Sequence, residues 1–225
     1  MSGMLHGPVA APKSGTPKQL IVFLHGYGSN GDDLIGLAPY FAAVLPDAVF
    51  ISPNAPHVCE IGFGYQWFSL GGWQPGMDWP TKAWPEIVAS GKILDAWLNE
   101  QLKKYELKDS QLALVGFSQG TMMSLQVGLR RAAAMGGIVG YSGALMAPDV
   151  LSADITARPP VMLIHGEQDP IVPFYEMAAA EKVLRANDVP VQTLARPGLP
   201  HSIDDAGIIA AARFLSHVIP ETSAA

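Results

Sequence analysis

Apolar positions in this chain come in two rhythms. Short apolar runs stand at 20–24, 48–52, 112–115, 137–141 and 161–164, with a further strand-like stretch at 191–194. Runs of this kind suit strands covered on both faces. Between them the apolar residues recur three and four apart. Ile87, Ile93, Leu94, Trp97, Leu98 and Leu102 form one stripe, and Met177, Ala180, Val183 and Leu184 another. These predict helices over 85–104 and 173–187. Further helices are expected over 32–44, with aspartates in the first turn, over 121–129, and from Asp204 or Asp205 to Val218. Strand and helix alternate strictly, which predicts an α/β fold: a mostly parallel sheet with helices on both faces. In such sheets ligands bind beyond the carboxyl ends of the strands.

The flanks and one internal stretch break the pattern. Residues 1–18 are rich in Gly and Pro and read as an irregular arm or a short edge hairpin. Residues 19–220 read as one domain, and 221–225 as a frayed tail. Within the domain, 57–84 mixes glycines and prolines with seven aromatic residues. An irregular stretch this long inside a compact domain is usually functional.

Composition narrows the function classes. The chain has 225 residues, 49% hydrophobic and 15% charged, with net charge −6. That favours a globule and disfavours nucleic acid as a partner. A single cysteine, Cys59, excludes an internal disulfide or a multi-cysteine metal site, and no metal is expected. His25 and His165 also lack ligand spacing with neighbouring carboxylates. No basic-then-apolar leader opens the chain and no run of about 18 apolar residues appears. A cytoplasmic protein with no stable membrane insertion is therefore expected.

The chemistry gathers at the ends of the strands. Gly116-Phe117-Ser118-Gln119-Gly120 follows an apolar run and precedes a helical segment. That is the setting of a nucleophile elbow, where glycines two residues either side of the serine permit a sharp strand-to-helix turn. A serine hydroxyl needs a base, and imidazole is suited to the task. His25 and His165 each follow a strand directly, where a packed loop-fixing role is the ordinary one. His201 stands on a Gly/Pro loop between the last strand and the last helix, at the edge where Ser118 is expected. Asp169 is the candidate acid, with Glu167 and Asp204 as rivals. The order Ser118, Asp169, His201 is that of an α/β-hydrolase. Oxyanion donors are expected from the N–H of Gln119 and from the glycine-dense loop 25–28 after the first strand.

With these pieces assembled, the chain resembles the phospholipase/carboxylesterase family, which includes the acyl-protein thioesterases. The matching stretches are 23–28, 52–56, 116–120, 142–145, 165–173 and His201, so the likeness spans nearly the whole domain. It implies an α/β-hydrolase fold without a separate cap domain and a serine hydrolase that needs no cofactor. It assigns nucleophile, acid and base to Ser118, Asp169 and His201, and oxyanion donors to the N–H groups of Tyr27 and Gln119. The family often carries leucine where Tyr27 stands, a change that leaves the main-chain donor intact.

The expected activity is cleavage of carboxylic esters of small to medium acyl groups, through an acyl-enzyme. The same triad would serve an acyl-protein thioesterase or a lysophospholipase acting on a thioester or lipid ester. A hydrolase-fold binding protein without turnover is the non-enzymatic alternative. The 57–84 loop is the expected substrate wall, with Trp67, Phe68, Trp73 and Trp79 as contacts and Met77 beside them. Asp78 would repel an anionic leaving group or simply be solvated. An apolar patch left exposed on that loop would permit a homodimer.

Overall fold

In a computed structural model of the chain, residues 5–71 and 79–219 are described here, with the backbone alone at 79–81. The expectations for Trp73, Met77, Asp78 and the 221–225 tail lie outside the described residues, as does the side chain of Trp79.

The strands are β1 (Val9–Ala10), β2 (Gln19–Leu24), β3 (Ala48–Ile51), β4 (His57–Val58), β5 (Tyr65–Gln66), β6 (Leu112–Phe117), β7 (Gly137–Tyr141), β8 (Val161–Gly166) and β9 (Val191–Arg196). The helices are α1 (Gly31–Ile35), α2 (Ala38–Phe41), α3 (Trp79–Lys104), α4 (Gln119–Gly128), α5 (Leu151–Asp154), α6 (Tyr175–Ala186) and α7 (Asp205–Val218). Seven strands pair in the order β1-β3-β2-β6-β7-β8-β9. Every pairing is parallel except β1 with β3. The Gly/Pro-rich arm thus contributes a two-residue antiparallel edge strand.

The core lies on both faces of this sheet, and the strand period of two sorts residues between them. Along β2, Leu20, Val22 and Leu24 face one layer, packed with Leu94 and Leu98 of α3 and Met123 of α4. Ile21 and Phe23 face the other, packed with Phe41 of α2 and Leu215 of α7. Phe23 stacks on Phe50 at 5.9 Å and meets Phe41 edge-on at 5.5 Å. Truncating a fully buried phenylalanine such as Phe23 to alanine costs about 3–5 kcal/mol.

Two helices differ from expectation. The helix expected over 32–44 is two short pieces, α1 and α2, separated by Gly36 and Leu37. Glycine is a poor helix interior residue, and Pro39 fits the first turn of α2. The helix expected to start at Pro85 starts at Trp79 and runs through that proline. Pro85 is exposed, so the carbonyl its ring leaves unpaired can turn to water. The stretch from 57 also holds a small β4–β5 hairpin, His57 opposite Gln66 and Val58 opposite Tyr65. Among the described residues no helix is long and apolar enough to cross a membrane.

Candidate active site

Strand β6 delivers Ser118 to the carboxyl edge of the sheet. Ser118 has φ 55 and ψ −116, a conformation that non-glycine residues rarely hold and that clusters at functional sites. The neighbours explain how it persists. A Cβ on Gly120 would lie 1.8 Å from the Leu24 carbonyl oxygen, and one on Gly116 would lie 2.4 Å from the Gly120 backbone. Only glycines let helix α4 lie this close against β2 and β6. The Ser118 N–H donates to Tyr141 O at 2.9 Å, and Thr121 Oγ1 reaches the carbonyls of Gly116 and Tyr141 at 2.9 and 2.8 Å. The turn is therefore held from both sides.

Strands β8 and β9 deliver the acid and the imidazole. His201 Nδ1 stands 2.7 Å from Asp169 Oδ2. The other carboxylate oxygen accepts the N–H groups of Ile171 and Val172, each at 2.9 Å. Burial alone would raise the Asp169 carboxyl, but the hydrogen bonds from His201, Ile171 and Val172 outweigh it and hold the group below its ordinary value. It is therefore an anion at neutral pH, fit to fix the His201 tautomer with Nδ1–H donating and Nε2 left to face the cleft. The Phe117 ring packs on that of His201, with centroids 4.7 Å apart. Among the described residues no hydrogen bond joins Ser118 Oγ to His201. That contact often runs long in hydrolases before substrate binds, and tightens around it.

The rivals for the acid are engaged elsewhere or turned away. Glu167 is exposed. Asp204 takes Arg196 through both oxygens and accepts the Gly207 N–H as the cap of α7. The two strand-end histidines hold loops in place. His25 is fully buried, with Nδ1 2.7 Å from Gly26 O and Nε2 accepting the Ala55 N–H at 2.9 Å. Burial lowers its pKa, so it is neutral. His165 Nε2 reaches Val172 O at 2.9 Å and Asp169 Oδ2 at 3.3 Å.

The loop after β2 lies against the elbow. A Cβ on Gly26 would stand 3.2 Å from the Phe117 ring and 3.3 Å from Ser118 Cβ. Gly26, Tyr27, Ser118, Gln119 and His201 all line one cleft of about 1080 Å³. Among the described residues no carbonyl takes the N–H of Tyr27 or of Gln119, so both donors are open. The Gln119 side chain accepts the Trp67 N–H and donates to Phe68 O, at 3.1 and 2.9 Å, which anchors the first turn of α4.

Trp67 and Phe68, expected as substrate contacts, do not line the cleft. Both are fully buried in the core, away from the cleft. The Trp67 indole N–H is spent on His25 O at 2.9 Å. Their segment turns inward and braces the loop after β2. The cleft wall is largely aliphatic instead, with Leu34, Leu37, Leu70, Met122, Leu145, Met146, Ile171 and Val172 beside the rings of Tyr27, Phe117 and Tyr175. Sequence reasoning passed over these aliphatic residues. A usable signal lay in 170–173, where Ile171 and Val172 sit between two prolines beside the candidate acid. Glu60 was also passed over. It accepts Tyr27 OH at 2.9 Å, Ser69 Oγ at 2.6 Å and the Leu70 N–H at 2.9 Å. Cys59 is buried. Among the described residues no group of three or more His, Cys, Asp or Glu is gathered to hold a metal ion.

Known proteins resemble this chain in both sequence and fold. The phospholipase/carboxylesterase family model matches residues 6–219. Acyl-protein thioesterase 1 of Saccharomyces cerevisiae is 30% identical over 181 residues, 76% of this chain and 78% of that protein. Esterase YpfH of Escherichia coli is 26% identical, over 91% of this chain and 84% of its own. The crystal structure of esterase PE8 superposes with a TM-score of 0.90 at 37% identity, covering 95% of this chain and 99% of that one.

Proposed function

The chain belongs to the phospholipase/carboxylesterase family, a family of α/β-hydrolases, and we propose that it is a serine carboxylesterase for small to medium acyl groups. Ser118 is the nucleophile, His201 the base, Asp169 the acid that orients it, and the N–H groups of Tyr27 and Gln119 the oxyanion donors. One observation carries this reading: the strained Ser118 and the Asp169-bound His201 share one cleft with two open main-chain donors.

In the first step Ser118 Oγ bonds to the acyl carbon while His201 Nε2 takes the hydroxyl proton. The tetrahedral oxyanion is held by the two N–H donors, each worth about 10²–10³-fold in rate. The bond to the leaving oxygen or sulfur then breaks, and the leaving group carries away the proton from Nε2. In the second step water bonds to the acyl carbon, giving its proton to Nε2. The Ser118 ester bond breaks, Oγ recovers that proton, and the carboxylic acid departs.

The test is hydrolysis of p-nitrophenyl butyrate by Ser118→Ala, expected to fall by about 10⁵-fold or more. A fluorophosphonate should label the parent chain at Ser118 and spare the variant. Near-parental turnover by Ser118→Ala would overturn the assignment.

A thioester reading has its own support, since several relatives are acyl-protein thioesterases. The same steps apply with sulfur as the leaving atom. Parallel kcat/KM values on butyryl ester and thioester with matched leaving groups decide between the two.

A further inference from the structure

The cleft is apolar along its walls, but its two carboxylate side chains share one sign. Asp33 and Glu176 line it, and no lysine or arginine does so among the described residues. The sequence extends this observation. Every segment that reaches the cleft lies inside a run free of Lys and Arg: 19–81, 109–129, 132–157, 159–181 and 197–212. The same runs carry further carboxylates, among them Asp32, Glu60 and Asp149. The nearest cation along the chain from His201 is Arg196, and it is already paired with Asp204 through both carboxylate oxygens. Glu60, beside Tyr27, is held below the ordinary carboxylate range, chiefly by the Ser69 hydroxyl, and so stays charged. A low-dielectric cleft rimmed by charge of one sign focuses its field at the mouth.

The position of Glu176 says which part of a substrate meets this field. The leaving group departs toward the ring that protonates it, His201. Asp169 holds that ring, and the segment that follows it, 170–176, hydrogen-bonds to Asp169 through Ile171 and Val172 and gives the cleft a wall through 170–173, 175 and 176. Glu176 ends this wall at the first turn of α6 and is only partly buried. An aliphatic acyl chain has no reason to approach a carboxylate and belongs on the leucine and methionine side chains.

We propose that this cleft selects esters and thioesters by the charge of the leaving group, favouring cationic alcohols and thiols, accepting neutral ones and rejecting anionic ones such as phosphate-bearing carriers. The proposal rests on the hydrolase reading above and names its substrate class. Its elementary reaction is unchanged: acyl transfer to Ser118 with release of a protonated, positively charged alcohol or thiol.

The test uses three S-butyryl thioesters of similar size: that of thiocholine, of its uncharged tert-butyl analogue, and of mercaptoethanesulfonate. Each kcat/KM is divided by the rate of hydroxide-catalysed hydrolysis of the same compound. At low salt the cationic substrate should exceed the anionic one by at least about tenfold, and the ratio should shrink at high salt as the field is screened. Glu176→Gln should lower the ratio of cationic to neutral rates, and Glu176→Lys should bring the anionic substrate above the cationic one. Equal normalised rates for all three thioesters at low salt would overturn the charge preference while leaving the hydrolase reading intact. So would a ratio that Glu176→Lys does not move in a variant whose melting curve matches the parent. Failure to cleave any of the three, with p-nitrophenyl butyrate also untouched, would overturn the hydrolase reading itself.

Discussion

The phenol of Tyr27 donates to Glu60 Oε1 at 2.9 Å, so the loop proposed to offer an oxyanion donor is tied to the β4–β5 hairpin. Glu60 sits at the centre of that tie, holding Ser69 and Leu70 as well. Tyr27→Phe removes the tie and keeps both the ring and the main-chain N–H. Loss of one such hydrogen bond is worth about 0.5–1.5 kcal/mol. If the tie steadies the donor, kcat for p-nitrophenyl butyrate should fall by about two- to tenfold with KM little changed. Steady-state kinetics check this, and an unchanged kcat would show that the loop holds its position without Glu60.

Asp169 and Glu167 are two residues apart, yet only Asp169 meets His201. Asp169→Asn should lower kcat by about 10⁴-fold, because the imidazole loses its orienting anion and adopts the wrong tautomer. Glu167→Gln should stay within about twofold, as an exposed change away from the cleft wall. Paired kinetics of the two variants are the measurement, and equal losses would contradict the assignment.

Gly120 marks where backbone approach replaces side-chain packing. A methyl group there would meet the Leu24 carbonyl oxygen at 1.8 Å. Gly120→Ala must push α4 away from β2, at a cost of several kcal/mol. Urea denaturation should report either a large drop in midpoint or failure to accumulate folded protein.

Buried, neutral His25 makes stability depend on mild acid. Its folded pKa lies below the ordinary value because burial disfavours the imidazolium. Between that depressed value and about 6.5, the unfolded chain binds a proton that the folded chain does not. Stability is thus full above about 6.5 and declines as pH falls through this window. His25→Gln should be less stable at neutral pH and should lose this part of the slope. Denaturant midpoints measured across the window check the sign.

The sheet was legible because β2, β3, β6, β7 and β8 are apolar runs ended by glycine or a polar residue, and β2, β6 and β8 are buried along nearly all their length. The grouping of Ser118, Gln119 and His201 in one cleft, with Asp169 behind His201, was also legible. Strand-end loops of a parallel sheet must meet at one edge, whatever lies between them in sequence. The wall was not. An aromatic residue in a glycine- and proline-rich stretch reads the same whether it faces a ligand or the core. Trp67 faces the core because its N–H finds His25 O, a partner 42 residues away that no local pattern reveals. Ile171 and Leu37 gave no periodic signal, since each sits on a turn or between short helices. The start of α3 was missed for a related reason. Proline reads as a helix beginning, and what carries the helix back to Trp79 is not local to Pro85.

Ser118 holds its left-handed backbone without glycine's freedom, at a standing cost of about 1–3 kcal/mol. With Ser118 as the proposed nucleophile, reactivity and heat tolerance therefore pull this chain in opposite directions at a single position. Ser118→Gly, though inert, should melt several degrees higher than its parent. Selection for thermal endurance alone would accordingly wear away the elbow first, and a screen for hardier variants has to keep turnover in view from its opening round.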